Sequence, residues 1–212
     1  GTGKTFTLVK LAQRLAEVHP EWKILYLAFN KSIQVEAGGK FPGNTLSKTT
    51  HSLAYAAFGQ RYRDQLIPDL RVREIAESMK LERKYYLLVK YGIDTLKNFL
   101  NSANQYIQNV HCPGIELKHA AFIHKVEVVE LAKSIWNRMK NVDDPGVGML
   151  HDGYLKLYQL EAEPLPYDVV LFDECQDSNP VTTDIVLKQK QALRVLVGDP
   201  HQQIYSFRGA VN

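Results

Sequence analysis

Cysteine is scarce, and its two occurrences stand apart. Cys112 and Cys175 form no CxxC pair, so neither a disulfide framework nor a zinc site is implied. Long hydrophobic runs are missing as well: none approaches the length of a membrane span, and no secretory apolar stretch opens the chain. Charge of one sign does not dominate either. Lys and Arg number 26 against 23 Asp and Glu, and the resulting +3 is too mild to establish a nucleic-acid partner by charge alone. Internal repeats and low-complexity segments are absent. What remains is 212 residues, 45% apolar and 23% charged, a composition that argues for a packed globular protein and against disorder. The expectation is a soluble intracellular protein with no membrane partner, nuclear if its source is eukaryotic and cytoplasmic if bacterial.

The first residues carry the first positive signal. Gly1-Thr2-Gly3-Lys4-Thr5 matches the end of the phosphate-binding pattern GxxxxGK[ST], whose first glycine and entering strand would lie ahead of residue 1. The chain therefore reads as a fragment of a longer protein. Glycines let backbone amides turn onto phosphates, Lys4 supplies a point charge for the terminal phosphates, and Thr5 offers a hydroxyl to Mg²⁺. A bare GTGKT also arises as an incidental turn before a helix. The apolar spacing of Leu8, Leu11, Ala12 and Leu15, stopped by Pro20, supplies the helix that a phosphate loop needs.

The run from Ile24 to Phe29 suits a buried parallel strand, and a second helix is expected from about Thr50, carrying Leu53, Ala56 and Ala57. From about residue 70 to 140 the pattern turns helical and charged. Ile93, Leu96, Phe99, Leu100, Ala103 and Ile107 form one apolar stripe with Asp94 as its expected cap; Val128, Leu131, Ala132, Ile135 and Met139 form another. Two short runs follow, Val169–Phe172 ending in Asp173-Glu174 and Leu193–Val197 ending in Gly198-Asp199, both expected as buried strands. Sites of open parallel sheets lie at such carboxyl ends.

Asp173-Glu174 is the natural partner of the loop. Asp173 suits a metal shell, and Glu174 suits the orientation and deprotonation of an attacking water. A solvated acidic pair at a strand end is the plain alternative. In the last segment Gln202 can sense a γ-phosphate, Tyr205 and Phe207 can stack on unpaired bases, and Arg208 can pair with an anion; a turn with core aromatics would look the same.

A family resemblance decides between these readings. Asp173-Glu174-Cys175-Gln176-Asp177 resembles motif II, DExQD, of UvrD/Rep-type superfamily 1 helicases, and the stretch from Gly198 to Ala210 resembles their motif III, GDxxQxIYxFRGA. Gly1 to Thr5 is similar to the end of motif I, Phe29-Asn30-Lys31 to motif Ia, and Thr49-Thr50-His51-Ser52 to the TxHS element. Phe29 to Ile33, His151 to Leu157 and Asp199 to Tyr205 are most similar to the F-box DNA helicase branch. The chain differs from many relatives in Phe6 after GKT, where a basic residue is frequent, and in Phe207, where Trp is usual.

The resemblance implies a RecA-like α/β P-loop fold with a parallel sheet. Its first part would be residues 1–65, its second part 146–212, and residues 66–145 a helical insertion of the 1B type. It implies an ATP- and Mg²⁺-dependent 3′–5′ helicase or translocase acting on single-stranded DNA, or DNA with single-stranded tails, in repair or recombination. Gly1, Thr2, Gly3, Lys4, Thr5, Asp173 and Gln202 would bind nucleotide, Thr5 and Asp173 the metal, with Glu174 and Gln202 in catalysis. Phe29, Asn30, Thr49, His51, Tyr205, Phe207 and Arg208 would lie on the DNA track. A second RecA-like domain with motifs IV to VI would complete the motor, so this fragment alone is expected to be inactive. F-box partners would follow only from an F-box upstream. Two alternatives stand beside this reading. One is a translocase whose main role is stripping recombinase filaments or other proteins from DNA; the other is a phosphate-loop kinase or NTPase switch.

Overall fold

The computed structural model describes residues 3–199. In chain order the elements are α1 (Lys4–Val18), β1 (Ile24–Ala28), α2 (Lys31–Gly38), β2 (Thr45–Thr49), α3 (Thr50–Ala57), α4 (Val72–Ser78), α5 (Tyr86–Leu100), α6 (Lys125–Lys140), α7 (His151–Glu161), β3 (Val169–Phe172), α8 (Pro180–Leu187) and β4 (Leu193–Leu196), with short 3₁₀ turns between some of them. They divide into two units. One takes the chain up to Ala57 and again from Glu161; the other is Phe58–Leu160.

The first unit is built on a four-stranded sheet of order β2-β1-β3-β4, parallel throughout. Ile24 lies opposite both Thr45 and Val169, and Phe172 lies opposite Leu196, so the strands end nearly level. The chain runs outward from β1 to β2 and resumes on the other side of β1 with β3. The carboxyl ends of β1 and β3 thus flank the point where the winding reverses, the place where open parallel sheets put their sites. Every residue of β1 and β3 is buried because helices cover both faces. Ile24, Tyr26, Ala28, Val169 and Leu171 pack with Leu8 and Ala12 of α1 and Ala37 of α2. Leu25, Leu27, Val170 and Phe172 point the other way, onto Val186 of α8.

β4 departs from the expectation of a buried strand. Leu193, Arg194 and Leu196 are exposed. Among the described residues only β3 pairs with it. The expected helix near Thr50 forms, but Ala54 is its buried alanine, while Ala56 and Ala57 face out.

In the second unit α5 and α6 pack side by side, closely enough that a Cβ on Gly92 would lie 3.1 Å from the Leu131 side chain. Leu96, Phe99, Leu100, Val128, Ala132, Ile135 and Met139 are buried, as their spacing predicts. Asp94 is not a cap. α5 begins two turns earlier, at Tyr86, and Asp94 makes an ion pair with Lys90 one turn back (3.0 Å). This unit also runs past the expected 66–145 at both ends. Tyr62 is fully buried and its hydroxyl donates to the Lys140 carbonyl (2.8 Å), so it belongs to the core. At the other end, Lys156 of α7 is buried and its ammonium donates to the carbonyl of Ser102 (2.8 Å). Arg138 grips Asp144 through two hydrogen bonds, 2.6 and 2.9 Å, and donates a third to Ser78 (3.0 Å). No helix among the described residues is long and apolar enough to cross a membrane.

Candidate active site

Gly3 caps α1 in the left-handed region, φ 76°, a conformation open to glycine at little cost. Its carbonyl accepts from the amide (2.9 Å) and the hydroxyl (3.0 Å) of Thr7. A glycine cap brings no side chain to occupy the first-turn amides, and no acidic residue sits in that turn. The start of α1 therefore keeps the character of an anion site.

Lys4 and Thr5, the first residues of α1, point at the carboxyl end of β3. Lys4 Nζ lies 2.6 Å from Oε2 of Glu174, and the Thr5 hydroxyl donates to Oδ2 of Asp173 at 2.7 Å. Burial pulls the Lys4 pKa down, but the hydrogen bond and charge of Glu174, with Asp199 and Asp173 behind it, outweigh burial and raise it above the ordinary lysine value. Asp173 is fully buried, and its own amide donates to the Leu27 carbonyl (3.1 Å), which ties it to β1. Its Oδ1 accepts the Glu174 amide (3.0 Å); its Oδ2 also accepts the hydroxyl of Tyr26 (2.8 Å). Burial first, then the charge of Asp173, pushes the Tyr26 phenol well above its usual pKa, so it remains a donor.

Glu174 holds φ 51°, ψ 43°, a left-handed conformation that few side chains other than glycine adopt without strain. The turn it makes aims its carboxylate back at Lys4. Gln176 fixes it there: Nε2 donates to Glu174 Oε2 (2.7 Å) and to Asp177 Oδ2 (3.1 Å), while Oε1 accepts the Asp199 amide (3.0 Å). The residues after β3 and after β4 are thus joined by one amide side chain. Gly198 permits this approach, since a Cβ there would fall 2.6 Å from both Cys175 Sγ and Gln176 Oε1. Burial raises the Cys175 thiol pKa, which suits a packing residue rather than a nucleophile.

Thr5 and Asp173 present hard oxygen donors that meet at 2.7 Å, a donor set that fits Mg²⁺, which takes one or two protein oxygens and fills its shell with phosphate and water. Phe29 and Asn30 follow β1 at its carboxyl end, the first half-buried and the second exposed; Asn30 uses its side-chain oxygen to cap α2 at the Ile33 amide (2.9 Å). Thr49 ends β2, and its hydroxyl accepts the Ser52 amide (3.1 Å) while the Ser52 hydroxyl donates to the Thr49 carbonyl (2.8 Å), which sets the start of α3 and leaves His51 half-buried in its first turn. Gly1, Thr2, Gln202, Tyr205, Phe207 and Arg208 lie outside the described residues.

Three contributors escape the sequence reading: Tyr26, Gln176 as a bridge, and Gly198. The one signal for Tyr26 is a phenol within an otherwise aliphatic strand, since a buried hydroxyl needs a partner.

The chain is similar in sequence to known proteins. The chain is 38% identical over 228 residues to F-box DNA helicase 1 of Gallus gallus, an alignment covering all of this chain and 22% of that protein. It is 32% identical over 230 residues to F-box DNA helicase protein 1 of Schizosaccharomyces pombe, covering 99% of this chain and 26% of the relative. The chain thus spans about a quarter of the length of these relatives. Its parallel sheet flanked by helices is the expected RecA-like α/β fold. The UvrD/REP helicase N-terminal domain matches residues 1–212, and the chain belongs to that family.

Proposed function

We propose that this chain is part of the motor of an ATP-dependent DNA helicase or translocase that moves 3′ to 5′ on single-stranded DNA, with a role in repair or recombination inside the cell. The observation that carries the reading is the meeting of Lys4 and Thr5 with Glu174 and Asp173, at 2.6 and 2.7 Å, across 168 or more residues of sequence. A kinase or simple switch has no need of the motif II and motif III pair, DECQD and GDPHQQIYSFRGA. The names of the two relatives, both DNA helicases, point the same way.

In this reading Lys4 leaves Glu174 for the terminal phosphates, and Thr5 and Asp173 hold Mg²⁺. When bound, the metal supplies neutralisation of phosphate-oxygen charge. Glu174, freed and still held by Gln176, orients a water and takes its proton as that water displaces ADP from the γ-phosphorus. Gln202 reports the γ-phosphate to the DNA track, formed by Phe29, Asn30, Thr49, His51, Tyr205, Phe207 and Arg208. The helical unit is the 1B-type insertion of this motor.

Hydrolysis of ATP by the full-length protein, with and without single-stranded DNA, tests the reading, together with unwinding of duplexes tailed on either strand. DNA-stimulated hydrolysis and preference for a 3′ tail are expected. Hydrolysis indifferent to DNA would overturn the helicase reading. Displacement of a recombinase filament without strand separation would favour a stripping translocase.

A further inference from the structure

We propose that Tyr26 is a positioning residue for divalent-cation binding: its hydroxyl holds the Asp173 carboxylate in its metal-binding orientation. This rests on the reading of the site as one for Mg²⁺ and nucleotide.

Asp173 and Tyr26 are both fully buried. A carboxylate out of reach of water must have its oxygens met by donors, and Asp173 has three: the Glu174 amide on Oδ1, and the Thr5 and Tyr26 hydroxyls on Oδ2. These donors are not equivalent. The Glu174 amide belongs to the same strained turn as the carboxylate. Thr5 belongs to the phosphate loop, and its hydroxyl is the one assigned to the metal. Tyr26 alone comes from elsewhere, from the middle of β1, a strand paired on both sides. Its ring is seated against Phe41, centroids 4.5 Å apart. With Thr5 given over to the metal, Tyr26 is the side chain left to fix Oδ2. Partners that orient a metal ligand from behind typically matter for affinity by about 10–100-fold.

β1 thereby does two jobs. Alternate residues of the strand fill the core, while Tyr26, on the α1 face, carries one polar atom through that core to the metal carboxylate. Phenylalanine here would keep the ring against Phe41 and leave Oδ2 one donor short.

The test uses the full-length protein. Tyr26→Phe removes the hydroxyl and keeps the ring against Phe41; Phe41→Leu disturbs the packing and keeps the hydroxyl. Mn²⁺ binding is followed by electron paramagnetic resonance in the presence of a non-hydrolysable ATP analogue, and metal-free nucleotide binding with a fluorescent ATP in EDTA. Tyr26→Phe should raise the Mn²⁺ Kd about 10–100-fold, raise the Mg²⁺ needed for half-maximal hydrolysis in parallel, and leave metal-free nucleotide affinity within about twofold. Phe41→Leu should leave the Mn²⁺ Kd within about twofold. A Tyr26→Phe protein with wild-type Mn²⁺ affinity, or a Phe41→Leu protein weakened as much, would overturn the assignment. A wild-type protein that takes up no Mn²⁺ with nucleotide, or an Asp173→Asn protein that takes it up normally, would remove the metal-site reading itself.

Discussion

Lys4 and Glu174 form an ion pair, Nζ to Oε2 at 2.6 Å, between a cation suited to phosphate and a carboxylate suited to water. In the proposed reading Lys4 serves the phosphates and Glu174 the attacking water, so the two residues should respond differently to substitution.

Glu174→Gln in the full-length protein should bind ATP at least as tightly as wild type, because the carboxylate that competes for Lys4 is gone. It should lose about 10²–10⁴ in turnover, the range for a positioned general base. Lys4→Ala should instead weaken binding by about 1.5–3 kcal/mol, as for loss of hydrogen bonds to a charged group. Fluorescent-nucleotide titration and steady-state hydrolysis check both. A Glu174→Gln protein with near-normal turnover would end the general-base assignment.

Gly198→Ala should push Gln176 aside, since its Cβ would arrive 2.6 Å from Gln176 Oε1 and 3.1 Å from the Gln176 backbone nitrogen. Overpacking of this kind costs about 1–3 kcal/mol. Hydrolysis should fall along with the melting temperature, because the same amide holds Glu174. A variant that melts early but turns over normally would show that the Gln176 bridge does not matter to the chemistry.

Asp144 tests the helical unit. The Arg138 guanidinium holds its carboxyl below the usual range, against a smaller opposing effect of burial. A carboxyl depressed on folding contributes stability above its unfolded pKa, near 4, and loses it as pH falls through the lower folded value. Asp144→Asn should therefore melt below wild type at pH 6–8, and the gap should shrink below about pH 4. A gap constant down to pH 2 would mean that the charge of Asp144 is irrelevant.

Phe207→Ala should weaken single-strand binding by about 1–3 kcal/mol, the range for one lost base–aromatic stack. Unchanged affinity in an anisotropy titration would return Phe207 to the core.

The elements that sequence revealed are those whose apolar atoms are self-evident. The run in β1 and β3 reads as buried because parallel pairing leaves no wet face, and α1 shows its stripe from Leu8 to Leu15. β4 reads the same way, yet among the described residues it is exposed, because an apolar run does not say which neighbour covers it. β2, Thr-Leu-Ser-Lys-Thr, has too little apolar character to announce a strand and is held by its ladder with β1. The eight-residue α2 buries only Ala37, so its period is hard to see; Asn30, which the resemblance places on the DNA track, also caps its start. Of the site, the charged and hydroxyl partners stood out by residue type. Tyr26 and Gly198 did not, because one looked like core and the other like a turn until distances were known.

The left-handed turn at Glu174 sets durability against work at one position. A non-glycine residue held there costs about 1–2 kcal/mol, and glycine or asparagine would relieve most of it while removing the carboxylate that meets Lys4. Selection for heat resistance alone would drift toward such residues and, in the proposed reading, would give up the base at this position. A thermostabilised version of this chain that keeps the Lys4–Glu174 pair must therefore find its extra kilocalories elsewhere and leave residue 174 uncomfortable.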